Sequence, residues 1–127
     1  MIKLLIVDDE KGLLEYLKEF FTQRGCLVET AISGDEVLNI IKIVKPDIVL
    51  LDIKMPGKDG LEVLKEIKDK DKNIKVIMVT VAADEETRIK AERLGADGFV
   101  KKPFSVDYLE GVVSLKIAEL TKENKGD

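Results

Sequence analysis

The 127-residue chain has no histidine, no tryptophan and a single cysteine. Histidine is the usual general base near neutral pH and the commonest metal ligand, so its absence removes serine-histidine-aspartate hydrolysis, cysteine-histidine proteolysis and any histidine-ligated zinc site. One thiol, Cys26, can build neither a disulfide framework nor a thiolate metal cluster; it reads as a small buried hydrophobe in a reducing cytosol. Long apolar runs are missing too. Nothing approaches the ~18–20 residues of a membrane span, and Asp8, Asp9 and Glu10 fall where a signal peptide would stay apolar. A soluble, cytoplasmic protein without membrane association is expected. Positive charge is not in excess either: 25 acidic against 21 basic side chains leave a net −4, which argues against direct nucleic-acid binding. The lysines between Lys65 and Lys75 are interleaved with Glu66, Asp69 and Asp71, the pattern of a solvated helix face.

What is present is 45% hydrophobic residues, enough for one core, in a chain of single-domain length. Ile2–Val7 is a short, nearly continuous apolar run suited to a strand buried on both faces, and Leu27–Thr30, Ile48–Leu51, Lys75–Val79 and Gly98–Lys101 are further strand candidates. Between them the period changes to that of a helix. Leu13, Leu14, Leu17, Phe20 and Phe21 share a face, as do Val37, Leu38, Ile41 and Val44; then Leu61, Leu64 and Ile67; then Ile89 and Leu94; then Val106, Leu109, Val113, Ile117 and Leu120. Ser33 and Glu36 have capping-box spacing, Asp84 and Ser105 are N-cap candidates, and Gly25 and Gly95 sit where helices should end. The βαβαβαβαβα string predicts an α/β fold over residues 1–120, a five-stranded parallel sheet with helices on both faces. Thr121–Asp127 reads as a polar tail.

Open parallel sheets bind ligands beyond the carboxyl ends of their strands. Asp8 and Asp9 follow the first strand, Asp52 follows the third, Thr80 ends the fourth, and Lys102 follows the fifth just before Pro103. Taken singly, each has a plain reading: a turn or cap for an aspartate, a β-branched strand end for Thr80, a solvated cation for Lys102. Together they form one rim. Three carboxylates in contact repel by about 1 kcal/mol per pair in water and ~4 kcal/mol at a protein-surface dielectric, so the cluster is costly without a cation. Oxygen-only ligands select a hard cation, and this number of carboxylates suits octahedral Mg2+ better than a calcium cage. With Lys102 the rim carries −2, which one Mg2+ would neutralise, and a metal beside a lysine and a hydroxyl can hold a phosphoryl group. No GxxxxGK[ST] cradle exists for a nucleotide, so the phosphoryl group needs a covalent host. Asp52, expected on the central strand, is the best aspartate nucleophile.

These motifs, IVDDE, VLLDIKMPGKDG, MVT and FVKKPF in that order, strongly resemble the receiver domain of two-component response regulators, over Ile2 to about Leu120. The resemblance implies a flavodoxin-like strand order of 2-1-3-4-5 and phosphorylation of Asp52 by a phosphohistidine on a histidine kinase or histidine phosphotransfer protein. It implies that Asp9, Asp52 and the backbone carbonyl of Lys54 bind Mg2+, with Asp8 acting mainly through a metal-bound water. Lys102 would pair with the phosphoryl oxygens, Thr80 would swing to hydrogen-bond one of them, and Phe99 would turn inward as an aromatic switch. By the same resemblance the Lys102–Pro103 peptide should be cis.

Two positions depart from the family pattern. The residue after the switch hydroxyl is commonly small; here it is Val81, whose methyls should narrow the approach to Asp52, and Ala82 has no group to orient an attacking water. Both favour a long-lived phosphorylated state. The function expected is a phosphorylation-activated signalling switch that catalyses only its own phosphorylation and dephosphorylation. Its output partner, output domain or second copy should use the face of the fourth helix, fifth strand and fifth helix, where Glu85, Lys90, Glu92, Arg93, Asp97 and Lys101 mix both charges. Two other readings compete: a Mg2+-dependent aspartyl-phosphate phosphatase or phosphotransferase, for which no substrate cap or second acid is visible, and a non-phosphorylated binding module.

Overall fold

The computed structural model describes the backbone of residues 1–125 and the side chains of residues 1–120. Five strands, β1 (Lys3–Val7), β2 (Leu27–Ala31), β3 (Ile48–Leu51), β4 (Lys75–Thr80) and β5 (Gly98–Lys101), alternate with five helices, α1 (Lys11–Gln23), α2 (Val37–Val44), α3 (Gly60–Lys70), α4 (Glu85–Arg93) and α5 (Val106–Lys125). All pairings are parallel and the spatial order is β2-β1-β3-β4-β5, the doubly wound, flavodoxin-like arrangement expected. Strand residues alternate between the two layers, which is why β3 and β4 read as unbroken apolar runs. Leu5, Val7, Val49, Leu51, Val76 and Met78 meet Val37 and Ile41 of α2, Val63, Leu64 and Ile67 of α3 and Ala91 of α4. Leu4, Ile6, Ile48, Leu50, Ile77 and Val79 meet Leu14, Leu17 and Phe21 of α1 and Leu109 and Val113 of α5. Cys26 is half-buried against this second layer.

The caps decide where most helices begin. The Asp84 carboxylate accepts from the Thr87 N–H, the Ser105 hydroxyl from the Tyr108 N–H, and the Asp59 carboxylate from Leu61 and Glu62 at the start of α3. Gly25 and Gly95 take φ of 88° and 100°, the left-handed values that end a helix. The capping box at Ser33 does not form as expected. Residues Gly34–Glu36 wind into a 3-10 turn ahead of α2, the Ser33 side chain makes no cap bond, and Glu36 reaches one residue further back, to the Ile32 N–H at 2.8 Å.

Two helix faces are also rotated from expectation. In α3 the fully buried stripe is Val63, Leu64 and Ile67, with Leu61 half-buried at its edge. In α4 the inward residue is Ala91, and Ile89 is 39% exposed. Two residues along a helix turn through about 200°, so with Ala91 inward Ile89 is left on the outer side. The backbone of α5 runs through residues 121–125, so the helix takes in most of the expected polar tail; residues 126 and 127 lie outside those described. Among the described residues no helix is long and apolar enough to cross a membrane.

Candidate functional site

The sheet ladder continues one residue past the strands and fixes the backbone of three site residues. The Asp8 N–H donates to the Ala31 carbonyl, Asp52 N–H to that of Val7, and Lys102 N–H to that of Thr80, at 3.0, 3.0 and 2.9 Å. The Lys102–Pro103 peptide is cis. Gly60 presses the start of α3 against the backbone of Asp52: a Cβ there would lie 2.1 Å from the Asp52 carbonyl oxygen and 2.6 Å from Ile53 Cα. Only glycine permits that approach.

Among the described residues the buried polar or charged side chains are Asp8, Asp52, Thr80 and Lys102. Three of them form one ionic cluster. Lys102 Nζ donates to Asp8 Oδ2 at 2.6 Å, to Asp52 Oδ2 at 3.2 Å and to Glu10 Oε1 at 3.3 Å. The second oxygens are held too: Asp8 Oδ1 accepts from the Glu10 N–H at 3.0 Å and Asp52 Oδ1 from the Ile53 N–H at 2.7 Å. Asp9 is exposed, yet carboxylate oxygens of Asp8, Asp9 and Asp52 all lie within 4.8 Å of one another. Burial pushes the Asp8 carboxyl above the usual carboxylate range, opposed by its Lys102 hydrogen bond. Burial works against the Lys102 ammonium too, but the Asp8 hydrogen bond and the charges of Asp52 and Asp8 outweigh it and raise its pKa above that of an ordinary lysine.

This donor set is all carboxylate oxygen, and its negative charge exceeds that of the one ammonium in it. It therefore fits a hard divalent cation such as Mg2+. Thr80 is fully buried at the end of β4, and its hydroxyl accepts from the Ala82 N–H at 3.1 Å. Lys54 is exposed on the loop leaving β3. Val81 is 64% exposed and lines a cleft of ≈ 450 Å³ with Glu10, Lys102 and Phe104. Phe99 is half-buried on β5, packed on the α2–α4 layer and lining a ≈ 580 Å³ groove with Arg88, Lys101 and Tyr108.

Two residues stand differently from the sequence reading. Asp97 does not belong to the mixed-charge outer face: its carboxylate accepts from Lys68 Nζ at 2.7 Å and from the Val76 N–H at 2.8 Å, tying α3 to the start of β5. Glu10 was not singled out, yet it reaches Lys102. Its only signal in the sequence is that it extends the Asp8–Asp9 pair to three consecutive acids.

Comparison with known proteins agrees with the fold. Residues 4–114 match the family model of the response regulator receiver domain. The chain is 40% identical over 111 residues to sporulation initiation phosphotransferase F of Bacillus subtilis, covering 87% of this chain and 90% of that protein. It is 42% identical over 123 residues to the probable transcriptional regulator ycf27 of Guillardia theta, covering 97% of this chain but only 47% of that one. Among solved structures, a CheY-like receiver domain protein of Methanospirillum hungatei superposes with a TM-score of 0.93 at 32% identity, covering 97% and 98% of the two chains. The non-phosphorylated HemR receiver domain of Leptospira biflexa gives 0.88 at 30% identity, covering 92% and 94%.

Proposed function

The chain belongs to the response regulator receiver domain family, and we propose that within it the chain is a signalling switch that accepts a phosphoryl group on Asp52. The observation that carries this reading is the burial of Asp8, Asp52, Thr80 and Lys102, and of no other polar side chain among the described residues. Burying charge is unfavourable unless it is paired, so a core that is otherwise apolar keeps these groups at the one rim where ligands of such sheets bind.

In the proposed reaction an Asp52 carboxylate oxygen attacks the phosphorus of a phosphohistidine on a histidine kinase or histidine phosphotransfer protein. The new O–P bond forms as the P–N bond breaks, and the departing imidazole keeps the electron pair and takes a proton from solvent. Asp8 aims the Lys102 ammonium at the transferring oxygens, where its charge is needed most. Thr80 exchanges its bond to the Ala82 N–H for one to a phosphoryl oxygen. Asp9, Asp52 and the Lys54 carbonyl would hold Mg2+, with Asp8 acting through a water, and the ion would supply charge neutralisation for the phosphoryl group. The added −1.5 to −2 charges then shift the population through Thr80 and Phe99 toward a form recognised at the α4–β5–α5 face by an output protein, an output domain or a second copy.

Acetyl phosphate with Mg2+ tests this reading. We expect one phosphoryl group per chain by intact mass, absent in Asp52→Ala and after EDTA. Sustained turnover of many phosphate esters would indicate an enzyme instead, and a wild-type chain without adduct would reduce it to a binding module.

A further inference from the structure

The three carboxylates around Lys102 are not equivalent. Asp8 makes the shortest bond, its side chain is 4% exposed, and its other oxygen is held by a backbone N–H. Asp52 is 6% exposed and remains in the site whether or not it carries a phosphoryl group. Glu10 is the most distant, at 3.3 Å, and its side chain is 62% exposed. A lysine ammonium has three N–H donors, and these three carboxylates occupy them. An incoming phosphoryl oxygen therefore needs a donor that is already engaged.

The bond released is the one that costs least to break. A freed Glu10 carboxylate regains water at once, whereas a freed Asp8 would be a buried charge left with one backbone N–H. Glu10 and Lys102 also line the same ≈ 450 Å³ cleft, which leaves the glutamate side chain room to swing away. We propose that Glu10 is a positioning residue that holds, in the unphosphorylated state, the Lys102 donor later used by the phosphoryl group. Displacement of its carboxylate then governs how fast Asp52 is charged by a small anionic donor. Its negative charge also faces the approaching donor, so both effects slow the step. This inference rests on Asp52 being the acceptor.

With acetyl phosphate the step is balanced without a proton: the Asp52 O–P bond forms, the bond from phosphorus to the acetyl oxygen breaks, and acetate leaves with the electron pair. The test follows adduct formation by intact mass for the full chain, Glu10→Gln and Glu10→Lys, at Mg2+ saturating for each. Glu10→Gln keeps the backbone N–H that holds Asp8, and the exposed position leaves folding intact. Removing one unit charge beside the transferring group should speed charging about threefold to tenfold, and Glu10→Lys should be at least as fast. The advantage should shrink as ionic strength rises, because the removed charge is exposed, and beryllium fluoride should bind Glu10→Gln more tightly than wild type. A packing role would move none of these salt and affinity readouts. If wild type is charged and Glu10→Gln is no faster, the placeholder role is overturned alone. If wild type takes up no phosphoryl group, the reading of Asp52 falls and takes this one with it.

Discussion

The ranking of wild type and Asp9→Asn in stability should reverse between metal-free and Mg2+-containing solution. Carboxylate oxygens of Asp8, Asp9 and Asp52 lie within 4.8 Å of one another. At that separation a pair of unit charges repels by about 0.9 kcal/mol at the dielectric of water and ~3.5 kcal/mol at an effective value of 20. Asp9 is exposed, so the lower figure applies, and the Lys102 ammonium offsets part of the repulsion from its two neighbours. Asp9→Asn should therefore stabilise the metal-free chain by about 1 kcal/mol, a shift of roughly 0.5 M in the urea midpoint. Mg2+ acts in the opposite sense. An ion held by the proposed site would bind the native state only, so at a hundredfold excess over its dissociation constant it should add about 2.7 kcal/mol to wild type, and much less to a variant missing one proposed ligand. Urea unfolding followed by far-UV circular dichroism, in EDTA and in Mg2+, gives all four midpoints. Asp9→Asn should be the more stable protein in EDTA and the less stable in Mg2+, and added monovalent salt should narrow the EDTA gap. A variant less stable than wild type in EDTA, or one that gains as much from Mg2+, would refute the placement of Asp9 in a repulsive cation site.

Gly60→Ala drives a Cβ to 2.1 Å from the Asp52 carbonyl oxygen, and as that neighbour is backbone it cannot swing aside; the loss should be about 1–3 kcal/mol in urea unfolding. Gly111→Ala, with nothing within 4 Å, is the matched control and should not destabilise. The Asp84 carboxyl is held below the usual carboxylate range by the Thr87 hydroxyl and then the Thr87 N–H. Its cap should thus be in full force above the ordinary aspartate value and fade as pH falls through the lowered one. An NMR titration of the Asp84 carboxyl carbon should show that lowered midpoint, and Thr87→Val should move it back up. Val81→Ala should speed loss of phosphate from Asp52, because Val81 lines the cleft beside Lys102; an equal or slower rate in a radiolabel chase would exclude a shielding role.

The strands and the rim they carry were legible because each is a local signal. Apolar runs that stop at Asp8 and Asp52 state both the strand and its end, Thr80 and Lys102 directly follow the Lys75–Val79 and Gly98–Lys101 candidates, and parallel topology then brings the ends together. Helix faces were less legible where the helix is short. Nine residues of α4 contain Ile89 and Ala91, and hydrophobicity alone favours the isoleucine, whereas the fold turns the alanine inward. Which partner a charged side chain finds was not legible at all. Asp97 looked like a surface charge beside β5, but its carboxylate caps the Val76 N–H and meets Lys68, 29 positions away. Glu10 was not singled out, and its bond to Lys102 spans 92 positions. Sequence reading reaches the residues whose burial must be explained. Asp9 and Val81 are exposed yet follow strand ends and so were named, whereas Glu10 meets Lys102 only because the fold brings together two residues 92 positions apart.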